Sequence, residues 1–141
     1  MKHLLALIFT LVITGTSFAQ KQKDSLLKIW YNIKLQDSTR FGAMKDLIEN
    51  HYLYIKTDSA LILSRNMRDL ARKKKNVELE VEAHTLIGKV YFELNDFDKG
   101  TENYTKGLEL AKTLKDSSLY AYKLFRLGYQ YSCLLYTSPS P

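Results

Sequence analysis

Apolar residues recur along this chain at three- and four-residue intervals, and one stretch of that pattern occurs twice. Ala83-His84-Thr85-Leu86-Ile87-Gly88-Lys89-Val90-Tyr91-Phe92 is echoed by Ala121-Tyr122-Lys123-Leu124-Phe125-Arg126-Leu127-Gly128-Tyr129-Gln130-Tyr131. Ile87-Gly88 aligns with Leu127-Gly128 and Tyr91 with Tyr131, a period of 40 residues. The spacing is helical, and a repeat of this length predicts stacked helix pairs rather than a globule around one catalytic pocket. The expected fold is therefore all-α, an antiparallel helix-pair solenoid of about 2.5 repeats.

The same reading predicts the other elements. A short amphipathic helix lies within Lys21 to Ile33, capped by Asp24 or Ser25, with Leu26, Leu27, Trp30 and Ile33 on its apolar side. A lone Trp in that position packs onto the segment that follows. Lys34 to Asp37 reads as a linker, and a longer helix begins with Asp37 or Ser38 as N-cap. Phe41, Met44, Leu47, Ile48, His51 and Tyr52 share one face of it. Lys56-Thr57-Asp58-Ser59 breaks that helix and caps the next, which carries Ala60, Leu63, Met67, Leu70 and Ala71 and ends at Asn76. Two further helices are expected from about Val77 to Leu94 and from Phe97 to about Leu114, joined by Asn95-Asp96. The second places Gly100, Tyr104, Gly107, Leu108, Ala111 and Leu114 on one face. Lys115-Asp116-Ser117 turns again, and a last helix from about Ser118 carries Leu119, Leu124, Leu127 and Tyr131.

The two ends differ from this pattern. Met1-Lys2-His3, the apolar run Leu4 to Ile13, and Ser17 and Ala19 at the positions a signal peptidase reads predict a cleaved secretory signal over 1–19. At the other end, Cys133-Leu134-Leu135-Tyr136-Thr137-Ser138-Pro139-Ser140-Pro141 breaks the helical pattern. It resembles the translation of a sequencing-adapter read-through, which implies a protein that continues past about Ser132. The expected organisation is a signal at 1–19, a capping helix and linker at 20–36, a degenerate helix pair at 37–76, a clear pair at 77–116, the first helix of another at 117–132, and an artefactual tail at 133–141.

Composition narrows the function classes. The chain has 141 residues, 45% of them hydrophobic, with ten tyrosines and six phenylalanines, which suggests aromatic wedges between helices or an adhesive groove. The net charge of +6 does not organise into a nucleic-acid face. Its densest run, Arg72-Lys73-Lys74-Lys75, falls at a predicted helix C-terminus, where cations complement the dipole, and Glu78, Glu80 and Glu82 follow directly. Cys133 is the only cysteine, so no internal disulfide can form.

Val81 to Leu114 resembles a tetratricopeptide repeat, through His84, Ile87-Gly88 and Tyr91 on the first helix and Asn95-Asp96-Phe97 at the turn. On the second helix the resemblance rests on Gly100, Tyr104, Gly107 and Leu108-Glu109-Leu110. The small residues let paired helices approach closely. Gly100 and Gly107 replace the family's usual alanines, at about 1 kcal/mol each in helix propensity. The closing proline is absent, and the period is 40 rather than about 34 residues. Ser38 to Ser132 is covered, more weakly in its first part. There a shift of 40 sets Ile48 against Gly88 and Ala60 against Gly100. The N-terminal portion also resembles exported repeat regions of Bacteroidetes-type signalling proteins, in which a histidine kinase, nucleotide cyclase or DNA-binding regulator follows a membrane span.

Catalytic chemistry is not expected in this chain. No glycine-rich phosphate loop occurs, no nucleophile motif surrounds a serine, and acid pairs such as Glu80/Glu82 read as solvated helix-start charges. His51 and His84 lack a third ligand at metal spacing and are read as packing residues. Neither metal nor cofactor is expected. The resemblance implies a concave groove lined by Lys45, Glu49 and Tyr52, by Thr85, Lys89 and Phe92, and by Tyr122, Phe125 and Tyr129. An aromatic stripe flanked by lysines suits an extended peptide or partner helix; the competing reading buries those aromatics between the helices. The functional expectation is an exported or periplasmic protein–protein interaction module, the sensing or scaffolding arm of a larger membrane signalling protein. The alternatives are a free-standing periplasmic scaffold, or the fragment of an enzyme whose catalytic half lies elsewhere. Self-association through an open C-terminal end is expected for a helix without its partner.

Overall fold

Four helices begin at a constant stride. In the computed structural model, which describes residues 20–114 together with 118, 120–122, 124, 125 and 129, residues 20–31 form α1. They are followed by α2 (Asp37–Leu47), α3 (Thr57–Lys73), α4 (Val77–Glu93) and α5 (Phe97–Thr113). From α2 onward each helix starts twenty residues after the one before. A π-helical turn, Ile48–Tyr52, extends α2, and the described residues from 118 onward are helical. No strand occurs among the described residues. The stretches expected to be a signal (1–19) and an artefactual tail (133–141) lie outside them. The chain divides into two compact units, Met1–His51 and Tyr52–Pro141, so the helix pair expected at 37–76 is shared between the two.

In the first unit, Trp30 is buried and meets Phe41 edge-on, with ring centroids 5.5 Å apart. Arg40 adds its guanidinium 5.5 Å from the indole centroid. Its Nε donates to the Trp30 carbonyl at 2.9 Å and its Nη1 to Asp37 Oδ1 at 2.9 Å. Trp30 lies in the last turn of α1, where carbonyls lack intrahelical partners, so a side chain from α2 satisfies one of them. This explains why a charged residue is only 7% exposed.

Three expected boundaries are corrected here. Asp24 sits inside α1, where its carboxylate accepts from Gln20 Nε2, and does not cap it. The N-cap of α2 is Gln36, without a side-chain bond, because Asp37 is already helical and its carboxylate turns to Arg40. Ile33 lies past α1 in a turn and is 83% exposed.

In the second unit, α4 packs against both α3 and α5. Its sequence shows why it is central. Val81, Ala83, Leu86, Ile87, Val90, Tyr91 and Phe92 are all buried, so the helix is apolar around much of its circumference, as a helix covered on two sides must be. Its neighbours present single stripes, Ala60, Ser64, Met67 and Ala71 on α3 and Gly100, Tyr104, Gly107 and Ala111 on α5. Ser64 is the unexpected member of that set. Its hydroxyl donates to the Ala60 carbonyl at 2.7 Å, which lets a polar residue be buried.

The two connectors of this unit are copies of each other. Lys75 and Asn95 adopt left-handed backbone, φ 55° and 59°. Asn76 N–H donates to the Ala71 carbonyl and Lys75 N–H to that of Arg72; Asp96 N–H donates to Tyr91 and Asn95 N–H to Phe92. Both are Schellman closures. The residue after the left-handed one then caps the next helix: Asn76 Oδ1 accepts from Leu79 N–H at 3.1 Å, and Asp96 Oδ1 from Lys99 N–H at 3.2 Å. Asn76 therefore opens α4, whereas the sequence pattern placed it at the end of α3. No such closure precedes α3. Its N-cap is Lys56, and Thr57 Oγ1 donates back to the Leu53 carbonyl at 3.0 Å.

Left-handed backbone costs a residue with a Cβ about 1 kcal/mol, and asparagine tolerates it better than lysine. Lys75→Gly is expected to stabilise the protein by about 0.5–1 kcal/mol, after allowing for the looser unfolded chain. Urea denaturation of the two proteins checks this; Asn95→Gly should gain less.

Candidate functional site

A cleft of about 370 Å³ opens where the end of α3, the first turns of α4 and the second half of α5 meet, lined by Arg72, Glu80, His84, Lys106, Glu109, Leu110 and Thr113. Helical spacing puts Glu80 and His84 one turn apart on α4 and Lys106, Glu109, Leu110 and Thr113 on one side of α5. Arg72 enters from the last turn of α3.

The polar groups of this cleft form one chain. Arg72 Nε donates to Glu80 Oε1 at 2.6 Å, and Arg72 Nη2 lies 3.3 Å from His84 Nε2. His84 Nδ1 lies 3.2 Å from Asn103 Oδ1, and Asn103 Nδ2 donates to the Lys99 carbonyl at 2.9 Å. That last bond fixes the asparagine amide, so its oxygen faces His84. Oxygen can only accept, so Nδ1 carries the proton; a guanidinium can only donate, so Nε2 is the acceptor. His84 is thereby held as the neutral Nδ1–H tautomer. It is 3% exposed, and burial, followed by the charge of Arg72, pushes its pKa below the usual histidine value, while Asn103 and Glu80 act in the opposite direction.

The nearby surface cations also have partners. Lys106 donates to Glu102 at 2.5 Å and Lys99 to Asp96 at 2.5 Å. Tyr91, on α4, takes a hydrogen bond from Arg65 Nη2 at 2.6 Å and has the Lys99 ammonium 5.5 Å from its ring centroid.

The residues expected to line a groove are distributed unevenly. Lys45 and Glu49 are half-buried in the first unit, and Tyr52 is half-buried at the end of the π-helical turn. Thr85 and Lys89 are half-buried on α4, and the Thr85 hydroxyl donates to the Val81 carbonyl at 2.9 Å. Phe92 is buried, its ring 5.6 Å from Tyr104 and 6.3 Å from Phe97 by centroid, and it packs over Gly100. It belongs to the α4–α5 packing and offers little surface to a partner. Tyr122, Phe125 and Tyr129 are each in helical conformation and are exposed at 52%, 69% and 58%.

Sequence reasoning missed Asn103 and Arg72. A signal for Asn103 was present: it stands three residues after Gly100 and four before Gly107, on the stripe of α5 that faces α4. Among the described residues, no three His, Cys, Asp or Glu side chains gather as a metal site, and no helix is long and apolar enough to cross a membrane. The chain matches no family model, no curated protein and no solved structure.

Proposed function

We propose that this chain is an exported helix-pair repeat module of the tetratricopeptide type that binds protein or peptide segments, serving as the sensing or scaffolding arm of a membrane signalling protein. The observation that carries this reading is the exposed aromatic face Tyr122, Phe125 and Tyr129, which follows helices of constant stride and duplicate connectors. Aromatic side chains, two of the three with a hydroxyl tip, supply contact area at low entropic cost, as peptide-recognition surfaces require. The stride gives the frame: α3, α4 and α5 are equal in length, α3 and α4 close in the same way, and successive faces recur at a fixed interval.

Selection of a displayed random peptide library on the chain tests this. Enriched peptides should bind the parent protein and lose at least tenfold in affinity for the Tyr122→Ala/Phe125→Ala/Tyr129→Ala variant. Enrichment indifferent to that variant would reject the aromatic face as the binding surface.

A further inference from the structure

We propose that His84 is a proton-operated latch: a proton taken up on Nε2 displaces the Arg72 guanidinium and transfers the Glu80 carboxylate from Arg72 to His84, untying the side chain that links the end of α3 to α4. The geometry leaves little alternative. Both ring nitrogens of His84 are committed, Nδ1 to Asn103 and Nε2 to Arg72. The incoming proton must occupy the lone pair that Arg72 now uses, which would set two cations 3.3 Å apart.

Glu80 is the anion within reach of both. Its Oε1 lies 2.6 Å from Arg72 Nε and 3.9 Å from His84 Nε2, so a small side-chain movement exchanges one partner for the other. Arg72 is half-exposed and can turn to water, whereas His84 is buried and cannot.

The charged groups around the ring set the balance. From α3, Arg72 and Arg68 oppose protonation; from α4, Glu80 favours it. From α5, Glu102 senses the histidine, while Lys106 and Glu109 line the same cleft and Lys106 is tied to Glu102. Burial supplies the remaining opposition, so the latch opens below the ordinary histidine value of 6.5. The step balances: one proton enters from water, the Arg72–His84 N–H···N bond and the Arg72–Glu80 N–H···O bond are lost, one N–H···O bond from His84 to Glu80 forms, and water takes up the freed guanidinium. It is independent of what the aromatic face binds.

Nitrogen-15 NMR of the full chain between pH 8 and 5 tests it. At neutral pH the His84 shifts should report the Nδ1–H tautomer, and the Arg72 Nε–H should be a slowly exchanging signal. Protonation should come below 6.5, and the Arg72 signal should disappear with the same midpoint while backbone amides stay dispersed. In Glu80→Gln the His84 midpoint should fall, because the receiving anion has gone, and the Arg72 Nε–H, left with a neutral acceptor, should exchange faster at neutral pH. An Nε2–H tautomer would overturn the proposal. So would Arg72 protection that survives His84 protonation, or loss of all dispersed amides in the same step.

Discussion

Gly88→Ala is expected to destabilise the second unit by about 1–3 kcal/mol, the range for forcing extra atoms into a packed core. A methyl at this position would point into the Tyr104 ring and lie 3.0 Å from the Gly100 carbonyl oxygen. Tyr104 cannot easily retreat: it is 3% exposed and stands against Phe92. The gain in helix propensity from alanine, about 1 kcal/mol, works against the clash and does not cancel it. Gly107 supplies the contrast. A methyl there would meet the His84 Cβ and the Val81 carbonyl oxygen at 3.4 Å and the Thr85 Oγ1 at 3.7 Å, all ordinary contact distances. Gly107→Ala should be neutral or stabilising by up to about 1 kcal/mol. Urea unfolding of both variants separates a glycine that packing requires from one it merely accepts. Equal effects at the two sites would contradict the helix approach described for α4 and α5.

Asn103→Leu should cost about 1–3 kcal/mol, because the His84 Nδ1–H would be left buried without its acceptor. The same histidine gives stability a pH dependence of fixed sign. Its folded pKa lies below its ordinary value of 6.5, so the unfolded chain binds more protons in the interval between the two. The contribution of His84 is complete above 6.5, decreases as pH falls below it, and stops changing once the folded-state ring has itself been protonated. Urea midpoints at pH 7.5, 6.5 and 5.5 should therefore decline in that order, and the decline should flatten in His84→Gln. A midpoint that rises on acidification would reject the neutral, buried histidine.

The sequence made some of this architecture legible and hid the rest for identifiable reasons. The limits of α4 and α5 could be read within a residue or so, because the apolar spacing is regular and Asn95-Asp96 marks the turn between them, although the role of Asn76 as the cap of α4 was not read. The close-approach glycines were legible for the same reason. The caps before α1 and α2 were not, because Asp24 and Asp37 match a capping pattern locally while their carboxylates are taken by Gln20 and Arg40. The π-helical turn at Ile48–Tyr52 carries no marker in its sequence IENHY, which continues the helical spacing of α2. In the site, His84 could be recognised as a packing residue, but its partners lie 12 and 19 residues away in the chain, and no periodicity joins them. Phe92 shows how spacing can mislead. It shares a helix face with Thr85 and Lys89, but the bare backbone of Gly100 leaves room for its ring to turn inward.

The duplicate connectors also constrain where recognition can reside. In each, the residue that closes one helix is followed at once by the residue that caps the next, leaving three residues between helices and none without a backbone duty. There is no spare loop between α3 and α5 from which to extend a specificity-bearing segment, as many binding folds do. If this part of the chain binds a partner as proposed, changes in specificity must be written as side-chain substitutions on helix faces, and changes in its reach as whole helix-and-connector units of twenty residues. A one-residue insertion at Leu94-Asn95-Asp96 would break the closure and the cap together, so length variation in this unit comes in quanta.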